Sequence, residues 1–180
     1  PSETWGSRFL TVPLATRIGG DTFRFLAQAD NTTVSINGSV VATLAAGQFH
    51  EQIVEGASEV ESSAPILVAQ YSNGTTFDGV TSDPFELLVP PFEQFLNAYT
   101  VTTPESGFRT NFINVTARTD DVGTVMLDGA VIDPTLFSPI GSSNYSGAQI
   151  PVELGSHTLS STLPFGVSVY GYDSFDSYGY

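Results

Sequence analysis

Cysteine is absent from this 180-residue chain, and so is lysine. The first absence removes disulfides, thiolate zinc sites and thiol nucleophiles. The second removes Schiff-base chemistry and lysine–asparagine isopeptide staples, and leaves five arginines as the only fixed cations. Against them stand 19 acidic residues, for a formal net charge of −14. Such a surface repels phosphate backbones, which argues against a nucleic-acid partner. No apolar run reaches membrane-spanning length, so no membrane insertion is expected. Pro1 reads as the start of a piece cut from a larger protein and not as a signal peptide. Helical spacing of apolar residues is hard to find, which leaves the chain to packing and sheet hydrogen bonds.

What the chain has in quantity is Thr, Ser, Val, Phe, Tyr and Gly in alternating patterns, and one short phrase written twice. Thr33-Val34-Ser35-Ile36-Asn37-Gly38-Ser39-Val40-Val41 returns as Thr124-Val125-Met126-Leu127-Asp128-Gly129-Ala130-Val131-Ile132. Asn-Gly and Asp-Gly both tolerate the two successive positive φ values of a type I′ turn, so each copy reads as a tight hairpin. A two-residue loop sets Val34 opposite Val41 and Val125 opposite Ile132.

Other echoes keep the same order. Phe23, Phe25, Ala27 and Ala29 alternate with polar partners into the first hairpin, as the strand from Phe112 to Thr119 leads into the second. Thr100-Val101 echoes Thr11-Val12, and Gln149-Ile150 echoes Gln52-Ile53. Pro65 precedes Ile66 to Tyr71, and Pro164 precedes Val167 and Tyr170. The hairpins are 91 residues apart and the proline-led strands 99, so the later copy carries an insertion, assigned to Pro139 to Ser146. The expected fold is all-β: two tandem, internally duplicated β-sandwich-like lobes fused through a Pro-rich connector. Lobe 1 is expected over residues 1–86, the connector over 87–95 and lobe 2 over 96–180. The connector is too interrupted by proline for a helix and too apolar for a loose linker, so one fused body follows, as tandem sandwiches or as one interlocked sandwich.

Trp5-Gly6, Leu88-Val89-Pro90-Pro91-Phe92-Glu93-Gln94-Phe95, Pro139-Ile140-Gly141-Ser142-Ser143, Gly155-Ser156-His157, Tyr170-Gly171-Tyr172 and Asp176-Ser177-Tyr178-Gly179-Tyr180 resemble the IgGFc-binding-protein N-terminal domain family. The match runs through nearly the whole chain in order. The resemblance implies an adhesion or recognition module of a large secreted or cell-surface protein, here a bacterial one. It does not imply immunoglobulin binding, because the animal members that give the family its name carry cysteines that are missing here. It brings no catalytic residues, and no cofactor is expected beyond a possible calcium ion.

The residues themselves nominate few sites. His50 and His157 are the only histidines, and neither stands in a metal-ligand or nucleophile-base spacing. No Gly-x-Ser-x-Gly elbow is present, so a hydrolase is only a minor alternative to a non-catalytic chain. Asp78 and Asp83, with the carbonyls of the Asn73 to Asp83 loop, are the candidate oxygen cage for calcium, though their spacing is not that of a known calcium loop. Five asparagines in Asn-x-Ser/Thr carry no assigned role.

The C-terminal stretch is the most suggestive. Tyr, Ser, Gly and Asp together give rigid aromatic contact area surrounded by adaptable polar groups. Tyr172, Asp173, Asp176, Tyr178 and Tyr180, with Asn144 and Tyr145 from the insertion, are the candidate ligand-binding residues. The expected partner is a glycan or glycoprotein on another cell or surface, beside neighbouring domains of the parent protein. The alternative is a structural spacer in an extracellular fibre.

Overall fold

The computed structural model describes residues 4–180, so Pro1 lies outside the described residues. The first lobe consists of β1 (Gly6–Thr11), β2 (Asp21–Ala27), β3 (Thr32–Ile36), β4 (Ser39–Leu44), β5 (Phe49–Val54), β6 (Ser58–Tyr71) and β7 (Glu86–Leu88). β1, β2, β3 and β7 pair antiparallel with β6, and β4 and β5 add outside β3 and β2. The first half of β6 lies between β1 and β3, and its second half lies between β2 and β7. One long strand therefore belongs to both layers of a curled sandwich. Pro65 sits at the changeover, where no ladder partner needs its missing N–H.

The second lobe follows the same scheme with β8 (Leu96–Thr102), β9 (Thr110–Arg118), β10 (Met126–Leu127), β11 (Ala130–Val131), β12 (Ser138–Pro139), β13 (Tyr145–Val152), β14 (Ser156–Asp173) and β15 (Asp176–Gly179). Here β14 takes the place of β6, flanked first by β8 and β10, then by β9 and β15. The alternation read in the sequence is borne out. Phe23, Phe25 and Ala27 are buried in the first lobe, and Ile113, Val115 and Ala117 hold the matching places in the second. The inserted residues between β11 and β13 form a 3-10 turn, Pro134–Leu136, and β12, which extends the sheet beyond β13.

Several expectations shift by one residue. Both hairpin turns have paired positive φ values, as a type I′ turn requires. In the first, however, a bulge after Val34 sets it opposite Ala42 instead of Val41. The extra residue lets Val41 and Ala42 both pack against the core. Val125 does bond to Ile132. Through the ladders, Gln52 aligns with Ile150 and not Gln149, and Thr11 aligns with Val101 and not Thr100. Polar identity misled there, because burial alternates with period two and outranks it.

The Pro-rich segment is not purely a connector. Leu87 and Leu88 extend the first sheet as part of β7, and the rest turns through a 3-10 turn, Phe92–Gln94. β15 is the counterpart of β7, since each is the last strand against the end of the long one. The C-terminal stretch therefore has a counterpart in the first half.

The lobes meet over a buried seam. Leu10, Val12, Phe95, Ile140 and Tyr145 make an apolar cluster across it. Tyr170 and Tyr172 of β14 join the core cluster of the first lobe. Gly166 lies flat beneath the Phe95 ring, where a Cβ would come within 2.6 Å, so only glycine lets the lobes close this far. Polar groups complete the seam. The Asn114 amide donates to the carbonyls of Val12 (3.2 Å) and Pro13 (3.0 Å), Gln149 donates to Pro13 (2.7 Å), and the Ala15 N–H donates to the Tyr170 hydroxyl (2.8 Å).

Candidate functional site: a rim of loops around Arg109

After its first strand each lobe sends a loop across the same end of the molecule. In the first lobe this loop runs over residues 12–20 and lies beneath the 73–83 loop, which contains the single helical turn α1 (Thr75–Asp78). In the second it is the stretch 103–109, ending at Arg109. The two-residue turn between β14 and β15 and the turn after β13 reach the same rim.

Two open grooves meet at Arg109. One, of about 600 Å³, is lined by Phe108, Arg109, Asn111, Pro151 and Leu154 among others. The other, of about 540 Å³, runs past Thr16, Val80, Thr81, Asp173 and Ser174. Both fall in the size range of small-ligand sites, but they are open troughs and not enclosed cavities. Thr16 holds φ at +66°, rare for a β-branched residue. Phe175, at the tip of the β14–β15 turn, holds φ at +55° and is 70% exposed. Ile18, Phe77 and Leu154 are exposed nearby along these loops.

Arg109 is fixed from one side. Its backbone N–H (3.2 Å) and its Nε (2.9 Å) donate to the Asp173 carboxylate, and a terminal nitrogen does the same. The Arg109 hydrogen bonds hold the Asp173 carboxyl below the usual range, and they hold the guanidinium above its own. The Asp173 carboxylate also accepts the Ser174 N–H (2.6 Å) and so stiffens the turn that carries Phe175.

The sequence-nominated residues divide. Asp173 is at the centre of the rim and Asp176 closes the same turn, accepting the Ser177 N–H at 2.9 Å. Tyr172 lines the second groove, yet the residue is buried in the seam, with its ring 5.8 Å from that of Phe85. Burial pushes its hydroxyl pKa upward. Tyr178 is half-buried, edge-on to Phe108, and donates to Asn111 at 2.8 Å. Tyr180 is exposed but its hydroxyl is bonded to the backbone of Thr102.

The insertion lies elsewhere. Asn144 is exposed, and Tyr145 is buried under Phe92 with the Arg8 guanidinium over its ring. Tyr145 starts β13 and Asn144 precedes it, while the groove-lining Pro151 is near the strand's far end, roughly 20 Å away for strand geometry. The extra loop and the C-terminal turn are not brought together.

Asp78 serves structure. Its carboxylate is ion-paired to Arg17 (2.9 Å), accepts from the Val80 and Ile18 N–H groups, and is 1% exposed. Asp83 is exposed, and its carbonyl accepts from the Ser177 hydroxyl. Among the described residues no cluster of three His, Asp or Glu side chains could hold a metal.

Neither histidine faces the grooves. His50 stacks on Phe25 and contacts Gln52. His157 contacts the Asp128 carboxylate (2.7 Å) with one nitrogen and the Glu153 carbonyl (2.9 Å) with the other. Both partners are acceptors, so the ring is bound best when both nitrogens carry protons. Burial works against this charge but is outweighed, and the pKa of His157 rises above its ordinary value.

Sequence reasoning passed over Arg109, Phe108 and Phe175. The signal for Phe175 was present: Asp-Ser-Phe-Asp is turn chemistry, and an aromatic at a turn tip has no core to fill. Arg109 gave no local signal, because only folding sets it between two grooves.

Among the described residues no helix is long and apolar enough to cross a membrane. No curated protein matches the chain. Among solved structures, a Streptomyces avermitilis α-L-rhamnosidase is similar over 97% of this chain and 25% of its own, at 10% identity and a TM-score of 0.29. The chain thus spans about a quarter of that enzyme's length. A Pleurotus ostreatus lectin is similar over 98% of this chain and 77% of its own, at 12% identity and a TM-score of 0.26. The IgGFc binding protein family model matches residues 1–171, and the chain belongs to that family.

Proposed function

We propose that this chain is a non-catalytic recognition module of a large bacterial protein, secreted or held at the cell surface, and that it binds a glycan or glycoprotein on another surface. The observation that carries the reading is the rim itself. Loops from both lobes converge there on an exposed arginine, and the turn that lines one groove carries an exposed aromatic at its tip, all supported by the sheets. The family's name supports a binding role, while the lack of cysteine separates this chain from the members that gave the name. Among the described residues the only charged groups lining the troughs are Arg109, Asp173 and Glu153, and Arg109 is already matched by Asp173, so the rim is suited to holding a partner more than to moving protons.

The test is retention of the isolated chain on immobilised glycoproteins and on a glycan array. Binding should weaken when Arg109 or Phe175 becomes alanine. A chain retained by no glycan and no glycoprotein overturns the reading in favour of a spacer, for which the bonded seam would supply the stiffness.

A further inference from the structure

Arg17 and Arg109 belong to corresponding loops, each following the first strand of its lobe, and each is paired with an Asp from the far end of the long strand: Asp78, in the loop after β6, for Arg17, and Asp173, the last residue of β14, for Arg109. Their surroundings differ. The side chain of Arg17 is 2% exposed, and besides its carboxylate it donates to three neutral oxygens: the carbonyls of Asn73 and Val80 and the hydroxyl of Ser82. All three come from the 73–83 loop. The second lobe replaces that loop with a two-residue turn. Arg109 is consequently 75% exposed, and among the described residues no oxygen other than those of Asp173 accepts from it.

From this comparison we infer that the open edge of Arg109 is the polar anchor of a site for an uncharged oligosaccharide, with the exposed ring of Phe175 as its stacking face. The inference rests on the recognition reading of the rim and names its ligand class.

Three observations lead to that class. First, the acceptors that complete Arg17 are neutral carbonyl and hydroxyl oxygens, and the charge of Arg109 is already matched by Asp173. A second anion would add little there and would meet Glu153 in the same groove, on a chain of net charge −14. Second, sugar hydroxyls donate as well as accept, and the rim offers a cationic donor beside carboxylate acceptors. Third, Phe175 is held in the left-handed region, which crowds the Cβ of any side chain and is unfavourable for a bulky one. No burial of the ring offsets that cost, and its neighbours Asp173 and Asp176 brace the turn. A flat aromatic face presented this way suits the C–H face of a pyranose ring.

The experiment uses the whole chain, biotinylated and displayed on streptavidin so that weak binding is read through avidity. The probes are printed neutral, sialylated and sulfated oligosaccharides, beside glycoproteins before and after enzymatic removal of their sugars. The expected result is binding to a subset of neutral oligosaccharides. It should fall about tenfold or more in Phe175→Ala and Arg109→Gln, corresponding to at least one well-made contact. Phe175→Tyr should retain it, and Phe49→Ala, an exposed ring on another face, should leave it unchanged. Each variant's melting curve shows whether it is folded, and Phe175→Ala at an exposed tip is the variant that decides if Arg109→Gln is unstable. Binding confined to acidic glycans, or undiminished in Phe175→Ala, overturns the inference. Equal binding to stripped and intact glycoproteins, with no glycan bound, overturns it in favour of a polypeptide partner and leaves the recognition reading standing. Binding to none of the probes removes both.

Discussion

Asp21 and Asn111 occupy the same place in the two lobes, each buried near the start of the strand that follows the loop at the rim, and each tied to that loop. The Asp21 carboxylate accepts the Leu14 N–H at 2.8 Å, while the Asn111 amide donates to the Phe108 carbonyl at 3.1 Å. One lobe uses an ionisable group where the other uses a neutral one.

Burial raises the Asp21 pKa from 3.8 to about 6, against the lowering effect of its bonds to Leu14 and Gln70 and of the Arg17 charge, with the Asp78 charge adding to the rise. A carboxyl that holds its proton more tightly when folded is stabilising when protonated. That contribution is full below about pH 4 and is lost as pH rises through about 6, at most about 3 kcal/mol. Asp21→Asn should abolish this slope. Urea midpoints from pH 4 to 8 should show wild type losing stability relative to the variant up to about pH 7, then running parallel. A difference that does not change with pH would remove Asp21 as its source.

The second expectation concerns the seam. The Tyr170 hydroxyl accepts from the Ala15 N–H and donates to the Asn114 side-chain Oδ1 at 2.7 Å, and the residue is fully buried. Tyr170→Phe removes both bonds and leaves a buried donor and a buried acceptor unpaired, at a cost of about 2–4 kcal/mol. Calorimetry should show a correspondingly lower melting temperature. A loss below about 0.5 kcal/mol would mean that this network does not fasten the lobes.

In the second hairpin the turn residue Asp128 reaches back to the long strand, accepting the Thr158 N–H at 2.8 Å, as Asn37 accepts the Glu59 N–H at 3.0 Å in the first. Only Asp128 also engages a histidine. The His157 pKa is raised above 6.5 and the Asp128 pKa is lowered below 3.8, the latter chiefly by the bond to His157. The histidine's contribution is full below about pH 6.5 and is lost as pH rises through its raised value. The aspartate's contribution is present above about pH 4 and is lost as pH falls through its lowered value. An NMR titration should find His157 above the ordinary histidine range in wild type and lower in Asp128→Asn. Identical titration midpoints in the two proteins would contradict the pairing.

Much of this architecture was legible because it depends on local chemistry. Asn37-Gly38 and Asp128-Gly129 specify their turns, and the alternation of Phe23, Phe25 and Ala27 specifies a half-buried strand. Errors arose where burial and polarity disagree. Gln52 and Gln149 look alike but sit one position apart in the ladders, and the Val34 partner moved because a bulge has no reliable sequence mark. The site was harder to read. Tyr145 and Tyr172 have the composition of a binding surface, but the second lobe turns them into the seam. Arg109 owes its exposure to a loop that is long in one lobe and absent from the other, a difference visible only once strands are matched.

Asp78 was nominated as a calcium ligand, and its geometry makes a different outcome testable. Both of its oxygens are engaged by Arg17 and by backbone N–H groups, with both side chains of the pair nearly inaccessible. A calcium ion there would have to displace Arg17, which among the described residues has no other carboxylate in contact. Melting temperatures measured with and without chelator should therefore coincide. Asp78→Asn, in contrast, leaves the Arg17 charge buried without its partner and should cost about 3–5 kcal/mol. A chelator-sensitive melting temperature combined with a mild Asp78→Asn variant would reverse the assignment, making the loop a cation site and the ion pair incidental.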